Sequence, residues 1–166
     1  MQKPVDKIEF WKQRIDTAQK EHYSVYVAGD NLWEAIRLIH QEIIDDHIKD
    51  TDRVLDAGCG YGRWSPHFDN YVGVDFSPDF IVKAKKKYPE KEFMVADLKD
   101  LPFKKKEFDW AIVVSIKEMI RDNCGQEAWD KMEKELKRVS KNVLILEYGD
   151  YDKNGGLTKA QHYDII

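Results

Sequence analysis

Two carboxylates and a run of glycines carry the chemistry of this sequence. Asp56 lies near the end of a short apolar run, Arg53-Val54-Leu55-Asp56-Ala57, and Gly58, Gly60 and Gly62 follow at alternate positions. A second apolar run, Tyr71-Val72-Gly73-Val74, ends in Asp75. Glycines so spaced let a backbone turn tightly and lie against a ligand where a side chain would clash. Asp56, two residues before the first glycine, would repel a pyrophosphate and suits a cation. The spacing is G-x-G-x-G, not the G-x-G-x-x-G that cradles a dinucleotide. Asp75, at a strand end, can accept both hydroxyl protons of an unphosphorylated ribose.

A ligand with a ribose, a positive charge and no phosphate fits S-adenosylmethionine. The same two features oppose a nicotinamide dehydrogenase. Val54 to Gly62 resembles the first motif of the class I S-adenosylmethionine-dependent methyltransferases. Val72-Gly73-Val74-Asp75-Phe76-Ser77 resembles their second-strand motif, and Ala96-Asp97-Leu98 their adenine-contacting turn. Glu107-Phe108-Asp109-Trp110-Ala111-Ile112-Val113-Val114-Ser115 resembles the fourth strand and its exit. The matches come in family order and cover about residues 50 to 150.

The resemblance implies roles residue by residue. Gly58 and Gly60, with Ala57 and Cys59 between and beside them, let the backbone approach the amino-acid end of the cofactor, with Asp56 near. Asp75 holds the ribose, and Phe76 lies against the adenine. Asp97 accepts from the adenine amino group between Ala96 and Leu98, and Val114 and Ser115 border the cofactor at the fourth strand's exit. The product would be S-adenosylhomocysteine.

These residues need a scaffold. Apolar runs that alternate with helical patterns predict a parallel sheet with helices on both faces, a doubly wound α/β fold. The strands are expected at Arg53–Asp56, Tyr71–Asp75, Glu92–Val95, Phe108–Val114 and Asn142–Glu147. The resemblance implies a Rossmann-like methyltransferase with strand order 3-2-1-4-5, its ligand above the carboxyl ends of strands one and four. Helices are expected from about Gly62, from a Ser77 cap with Pro78 to Lys87, from Ile116, and over Gln126–Val139. Residues 97–107 read as loop, packed down by Leu101, Pro102 and Phe103. Upstream, Val5 to Lys20 has helix-like spacing, and 21–30 reads as a loop or lid. Asn31 and Glu34 suit a capping box before a helix that carries Leu32, Ile36, Ile39, Ile43 and Ile44 to about Ile48.

The chain has 166 residues, 42 % hydrophobic and 35 % charged, which fits a single globular, soluble domain. Residues 1–50 would supply helices and a lid, 51–150 the cofactor-binding core and 151–166 a tail. A net charge of −4 gives no reason to expect nucleic acid. The basic runs 85–87 and 104–106 have acidic neighbours and read as solvated surface. No stretch is long and apolar enough for a membrane span, and Met1 to Lys20 shows no secretory leader. Cys59 and Cys124 have no C-x-x-C spacing, and His40 and His47 alone make no metal site. The expected compartment is the cytoplasm.

Methyl transfer from a sulfonium is an in-line displacement, and much of its catalysis is positioning. A general base is needed only for an acceptor that arrives protonated. Glu118, past the fourth strand, could act as base or grip an amine, with plain surface exposure as the rival reading. His22, Tyr23 and Tyr26 could close over the cofactor. No Asn/Asp-Pro-Pro-aromatic sequence and no Pro-Cys pair follows the fourth strand. With no nucleic-acid charge and no separate recognition domain, a small-molecule acceptor is expected. The alternatives are a binding module without turnover, or an enzyme that transfers or cleaves another group of the sulfonium.

Family members usually add a sixth strand and an antiparallel seventh, whereas Asp150 to Ile166 can supply one short element. The fifth strand is then an edge, which proteins pair or cover. Either the tail or a second subunit, as a homodimer, is expected to cover it.

Overall fold

The computed structural model describes residues 30–147 and 163–166, with side chains from 37 onward. Contacts divide the chain into residues 1–47 and 48–166. The first unit provides helix α1, Asp30–His47. It starts one residue before Asn31, whose side chain, like that of Glu34, lies outside those described. The candidate lid residues His22, Tyr23 and Tyr26 also lie outside the described residues.

The second unit is built on six strands: β1 Arg53–Ala57, β2 Asn70–Asp75, β3 Glu92–Val95, β4 Phe108–Val114, β5 Ser140–Leu146 and β6 Tyr163–Ile165. Their order in the sheet is β3-β2-β1-β4-β5-β6. The first five pair in parallel and β6 runs antiparallel to β5. The central strands are apolar because both faces are covered: Val54, Leu55, Asp56 and Ala57 are all buried. The chain steps outward from β1 to β3 one way and from β4 to β6 the other, so a ligand crevice opens between β1 and β4.

Helix α2, Pro78–Lys87, links β2 to β3. Its cap is as expected, with Ser77 Oγ accepting from the Phe80 N–H at 3.4 Å. Helices α3, Lys117–Cys124, and α4, Gln126–Val139, link β4 to β5. Trp129, Met132, Leu136 and Val139 recur at helical spacing on α4 and are buried. They close a core with Leu55, Ala57, Val72, Val74, Ala111, Val113, Val143 and Ile145, the residues that alternate onto one face of the sheet. Right-handed crossovers in opposite directions put α2 and α4 on opposite faces.

The sequence expectation fails after β1. No α-helix follows Gly62; the link is a set of turns and one 3-10 turn, Ser65–His67. Gly58, Gly60 and Gly62 all take left-handed φ, and Pro66 lacks an N–H to donate. Residues 58–69 are too few for that turn and a helix as well. The 96–107 link is loop, as expected. Leu101 is buried, and the Arg138 guanidinium donates to Leu101 O at 2.8 Å and Phe103 O at 2.7 Å. Pro102 is exposed rather than packed. β5 starts at Ser140, before the expected Asn142.

The tail alternative covers the β5 edge. Leu144 pairs with Ile165 and Leu146 with Tyr163. Val143 and Ile166 exchange both backbone bonds at 3.1 and 3.0 Å. Lys117 Nζ on α3 also reaches Asp164 Oδ2 at 2.8 Å. β6 thus fills the place that a second subunit would otherwise have had to take.

Candidate functional site

The carboxyl ends of β1, β2, β4 and β5 bring the candidate residues to one edge of the sheet. The glycine turn is tied down there by backbone bonds. Gly58 N and Cys59 N both donate to Val74 O, at 2.8 and 2.9 Å. Gly60 N donates to Asp75 Oδ2 at 3.0 Å, and Ser77 N donates to Asp75 Oδ1 at 2.9 Å. One carboxylate therefore joins the turn after β1 to the cap of α2. The carboxylate keeps acceptor capacity for a ribose hydroxyl. Burial pushes the Asp75 carboxyl up to about 6, against the Ser77, Gly60 and Phe76 N–H groups that favour its charge.

The glycines of the turn differ in their surroundings. A Cβ on Gly62 would meet the Phe93 ring at 2.6 Å, so that glycine serves packing. A Cβ on Gly60 would meet no atom of the described residues within 4 Å. Gly60 thus presents bare backbone to open space beside Asp75, which is the approach a ligand needs.

Asp56 is 1 % exposed. Its Oδ2 accepts from the Tyr71 hydroxyl at 2.7 Å. Burial pushes its carboxyl up to about 7; Tyr71 opposes that shift, and the Asp75 charge adds to it. Cys59 is buried in the turn, with its thiol toward Gly60 O at 3.6 Å. Burial, then the Asp56 and Asp75 charges, hold that thiol well above its ordinary value, which is the reverse of an activated nucleophile.

On the β3 side, Ala96 N donates to Asp75 O at 3.0 Å, and Ala96 and Leu98 are buried. Asp97 is exposed, and its Oδ1 accepts from Lys99 N at 2.9 Å. Phe76 is 36 % exposed. These residues share the β2–β3 end of the crevice.

On the other side, Ser115 leaves β4 with φ +59 and donates its N–H to Leu146 O at 2.7 Å. Its Oγ is buried with no hydrogen-bond partner among the described residues. The turn aims the first amide of α3, Lys117 N, at Glu147 Oε1, 2.7 Å away. Glu147 is 9 % exposed. Burial pushes its carboxyl up to about 7, the Lys117 N–H opposes this, and the Glu118 charge adds to it. Glu118, the carboxylate that the sequence offered as base, is exposed.

Tyr71 and Glu147 are the site residues that the sequence reading missed. Glu147 had a signal: like Asp75, it ends an apolar strand. Tyr71 shares a strand face with Gly73 and Asp75, but its partner Asp56 lies on another strand. Among the described residues no group of three or more His, Cys, Asp or Glu could hold a metal.

The donor set suits S-adenosylmethionine. It combines a carboxylate acceptor at Asp75, bare backbone at Gly60, buried carboxyls and an exposed aromatic residue, Phe76. A family model described as a methyltransferase domain matches residues 54–142. An uncharacterised Methanocaldococcus jannaschii protein, MJ1252, is 42 % identical over 96 residues, 56 % of this chain and 38 % of its own length. The chain thus spans well under half of that relative. The Campylobacter jejuni ubiquinone/menaquinone biosynthesis C-methyltransferase UbiE is 24 % identical over 177 residues, 98 % of this chain and 72 % of its own. A crystal structure of a SAM-dependent methyltransferase from Methanosarcina mazei superimposes with a TM-score of 0.58 and 25 % identity, over 64 % of this chain and 57 % of that one.

Proposed function

The chain belongs to the family of methyltransferase domains, and from that premise we propose that it binds S-adenosylmethionine across the carboxyl ends of β1, β2 and β4 and methylates a small-molecule acceptor by in-line transfer. The observation that carries this reading is the pair of buried carboxylates under the glycine turn. The described groups that act on Asp56 are Tyr71 and Asp75, neither of them cationic. A positive charge bound beside these carboxyls favours their ionised forms, and a phosphate opposes them.

When bound, the cofactor supplies a methyl group already activated on a sulfonium. The chain's part is to bind and orient. Asp75 accepts the ribose hydroxyl protons, and Gly58 to Gly60 admit the amino-acid end close to backbone. Asp56 favours positive charge there. Phe76, Ala96, Asp97 and Leu98 frame the base, and Val114 and Ser115 floor the reacting end. Glu147, buried just past the end of β5, is the candidate to take a proton from the acceptor. The net charge of −4 and the small-molecule chemistry named for UbiE support a small acceptor. Two unbridged cysteines support a reducing cytoplasm.

Isothermal titration with S-adenosylmethionine and S-adenosylhomocysteine tests the cofactor. Both should bind the wild type and fail to bind Asp75→Ala at comparable concentrations. Absence of binding by the wild type would overturn the reading. Transfer of labelled methyl from the cofactor into the macromolecular rather than the small-molecule fraction of a cell extract would overturn the acceptor class.

A further inference from the structure

Tyr71, Gly73 and Asp75 alternate onto one face of β2, and β1 sets Val54 opposite Tyr71 and Asp56 opposite Gly73. A Cβ on Gly73 would meet the Tyr71 hydroxyl at 2.8 Å and the Phe93 ring at 2.7 Å. The phenol therefore lies along its own strand, over the place where residue 73 has no side chain. That course brings its hydroxyl to Asp56 as donor, at 2.7 Å. Two rings hold it there. Phe68 stacks on it at 6.2 Å and 9°, and Phe93 meets it edge-on at 5.6 Å. Both Tyr71 and Asp56 are buried, so water cannot replace either partner.

The arrangement favours the ionised carboxylate, although burial alone favours the neutral acid. Burial, then the Asp56 charge, keeps the Tyr71 hydroxyl protonated far above neutral pH, so it is a permanent donor. The titratable groups that face Asp56 among the described residues are Tyr71 and Asp75 on β2 and Cys59 in the glycine turn; Tyr88, after α2, faces Tyr71. None brings positive charge. A strand glycine and two flanking rings thus hold one hydroxyl on a carboxylate that has no described counter-ion.

We propose that Tyr71, laid across Gly73, is a positioning residue that favours the charged form of the Asp56 carboxylate and orients it for the ammonium at the amino-acid end of the bound cofactor. The inference rests on the cofactor reading above and deepens it. It makes binding proton-linked. With Asp56 near 7 in the free protein, a cation beside it expels a proton, and affinity rises with pH until the free protein is ionised. Loss of the Tyr71 hydroxyl removes what lowers the Asp56 value, and moves that midpoint up by about one pH unit.

The test is titration of wild type and Tyr71→Phe with S-adenosylhomocysteine from pH 6 to 8.5, in two buffers of different ionisation enthalpy. Phe keeps the ring and its packing. Its affinity should be about fivefold lower at pH 7 and within about twofold of wild type at pH 8.5. It should also release more protons at pH 7.5. An equal loss at every pH, or an unshifted profile, would make Tyr71 merely structural and overturn the proposal. Asp56→Asn supplies the second arm, with a shallower profile expected, the change at Asp75 near pH 6 alone remaining. A profile as steep as wild type in that variant overturns the proposal even if the Phe variant fails to fold. No binding by wild type at any pH would instead overturn the cofactor reading itself.

Discussion

Ala substitutions at Gly60 and Gly62 should fail in opposite ways. Both glycines are left-handed, with φ +55 and +82. Alanine there costs about 1–2 kcal/mol from backbone strain alone. At Gly60 nothing is added, because the new methyl meets no described atom within 4 Å. At Gly62 the methyl would fall 2.6 and 2.7 Å from Phe93 Cζ and Cε1 and 3.3 Å from Tyr88 Cδ2. Phe93 is buried against Tyr71 and has little room to yield. Overpacking of this kind adds about 1–3 kcal/mol, so Gly62→Ala should lose about 2–5 kcal/mol in all. For a chain of this size the two variants should melt about 5 °C and about 10 °C below wild type. Binding should invert the order. The Gly60 methyl points to where the cofactor would lie, and a forced shift of about 1–3 kcal/mol weakens affinity about 5- to 150-fold. Gly62→Ala, measured cold enough to be folded, should bind within about twofold of wild type. Calorimetric melting and titration with S-adenosylhomocysteine check both. A Gly60→Ala protein that binds like wild type would refute the placement of the ligand against this turn.

The free protein should lose stability as pH rises. Asp56, Asp75 and Glu147 stand at about 7, 6 and 7 when folded, against 3.8, 3.8 and 4.5 as model values. The folded state then binds more protons than the unfolded between about pH 4 and 7, so their contribution is greatest at low pH and is lost through that window. Urea unfolding should show a fall of a few kcal/mol from pH 5 to pH 8, smaller in Asp56→Asn; a rise would contradict the assigned burial. Glu147→Gln should hold α3 as well as wild type at pH 8, because its amide oxygen can still accept from Lys117 N, whereas Glu147→Ala should cost about 1–2 kcal/mol in the same melts. Equal damage from Gln and Ala would show that charge, not the acceptor, secures the helix. Removal of 163–166 should bare the β5 edge and drive self-association visible by light scattering. A truncated chain that stays monomeric would mean that β5 needs no cover.

Strands were legible because each is a local signal. Phe108–Val114 and Glu92–Val95 are short apolar runs bounded by charge or turn residues, and both occur where expected. Gln126–Val139 was legible from one apolar stripe, which α4 buries against the sheet. The expected helix after Gly62 was an extrapolation from the β-α-β rhythm, and the local residues overrule it. Three left-handed glycines and Pro66 leave a single 3-10 turn. The carboxylates Asp56 and Asp75 could be read from position. Their settings could not, since the Tyr71–Asp56 bond needs the β1–β2 register and an empty place at Gly73. Glu118 and Glu147 show the same limit. Both are acids near strand ends, but the left-handed turn at Ser115 points the α3 amide at Glu147 and leaves Glu118 outside.

The three buried acids are not equally compensated, and the difference says what ligand the site wants. Asp75 accepts from the backbone amides of Gly60 and Ser77 at 3.0 and 2.9 Å, and Glu147 from the first amide of a helix. Asp56 has one hydroxyl. It is also the most deeply buried of the three. A cation bound nearby therefore changes Asp56 most, and does so by stabilising its charged form. With a free-protein value of about 7, the ionised fraction rises about tenfold from pH 6 to pH 8. Saturating S-adenosylhomocysteine, whose ammonium (paired in the same group with a carboxylate) would sit beside Asp56, should then stabilise the protein by about 1.4 kcal/mol more at pH 8 than at pH 6. In thermal-shift measurements that is a ligand-induced rise about 3–5 °C larger at the higher pH. An anionic ligand would bind better once Asp56 is protonated, and the difference would change sign. A shift that is larger at pH 6, or equal at both, would refute the argument that uncompensated negative charge selects the cofactor here.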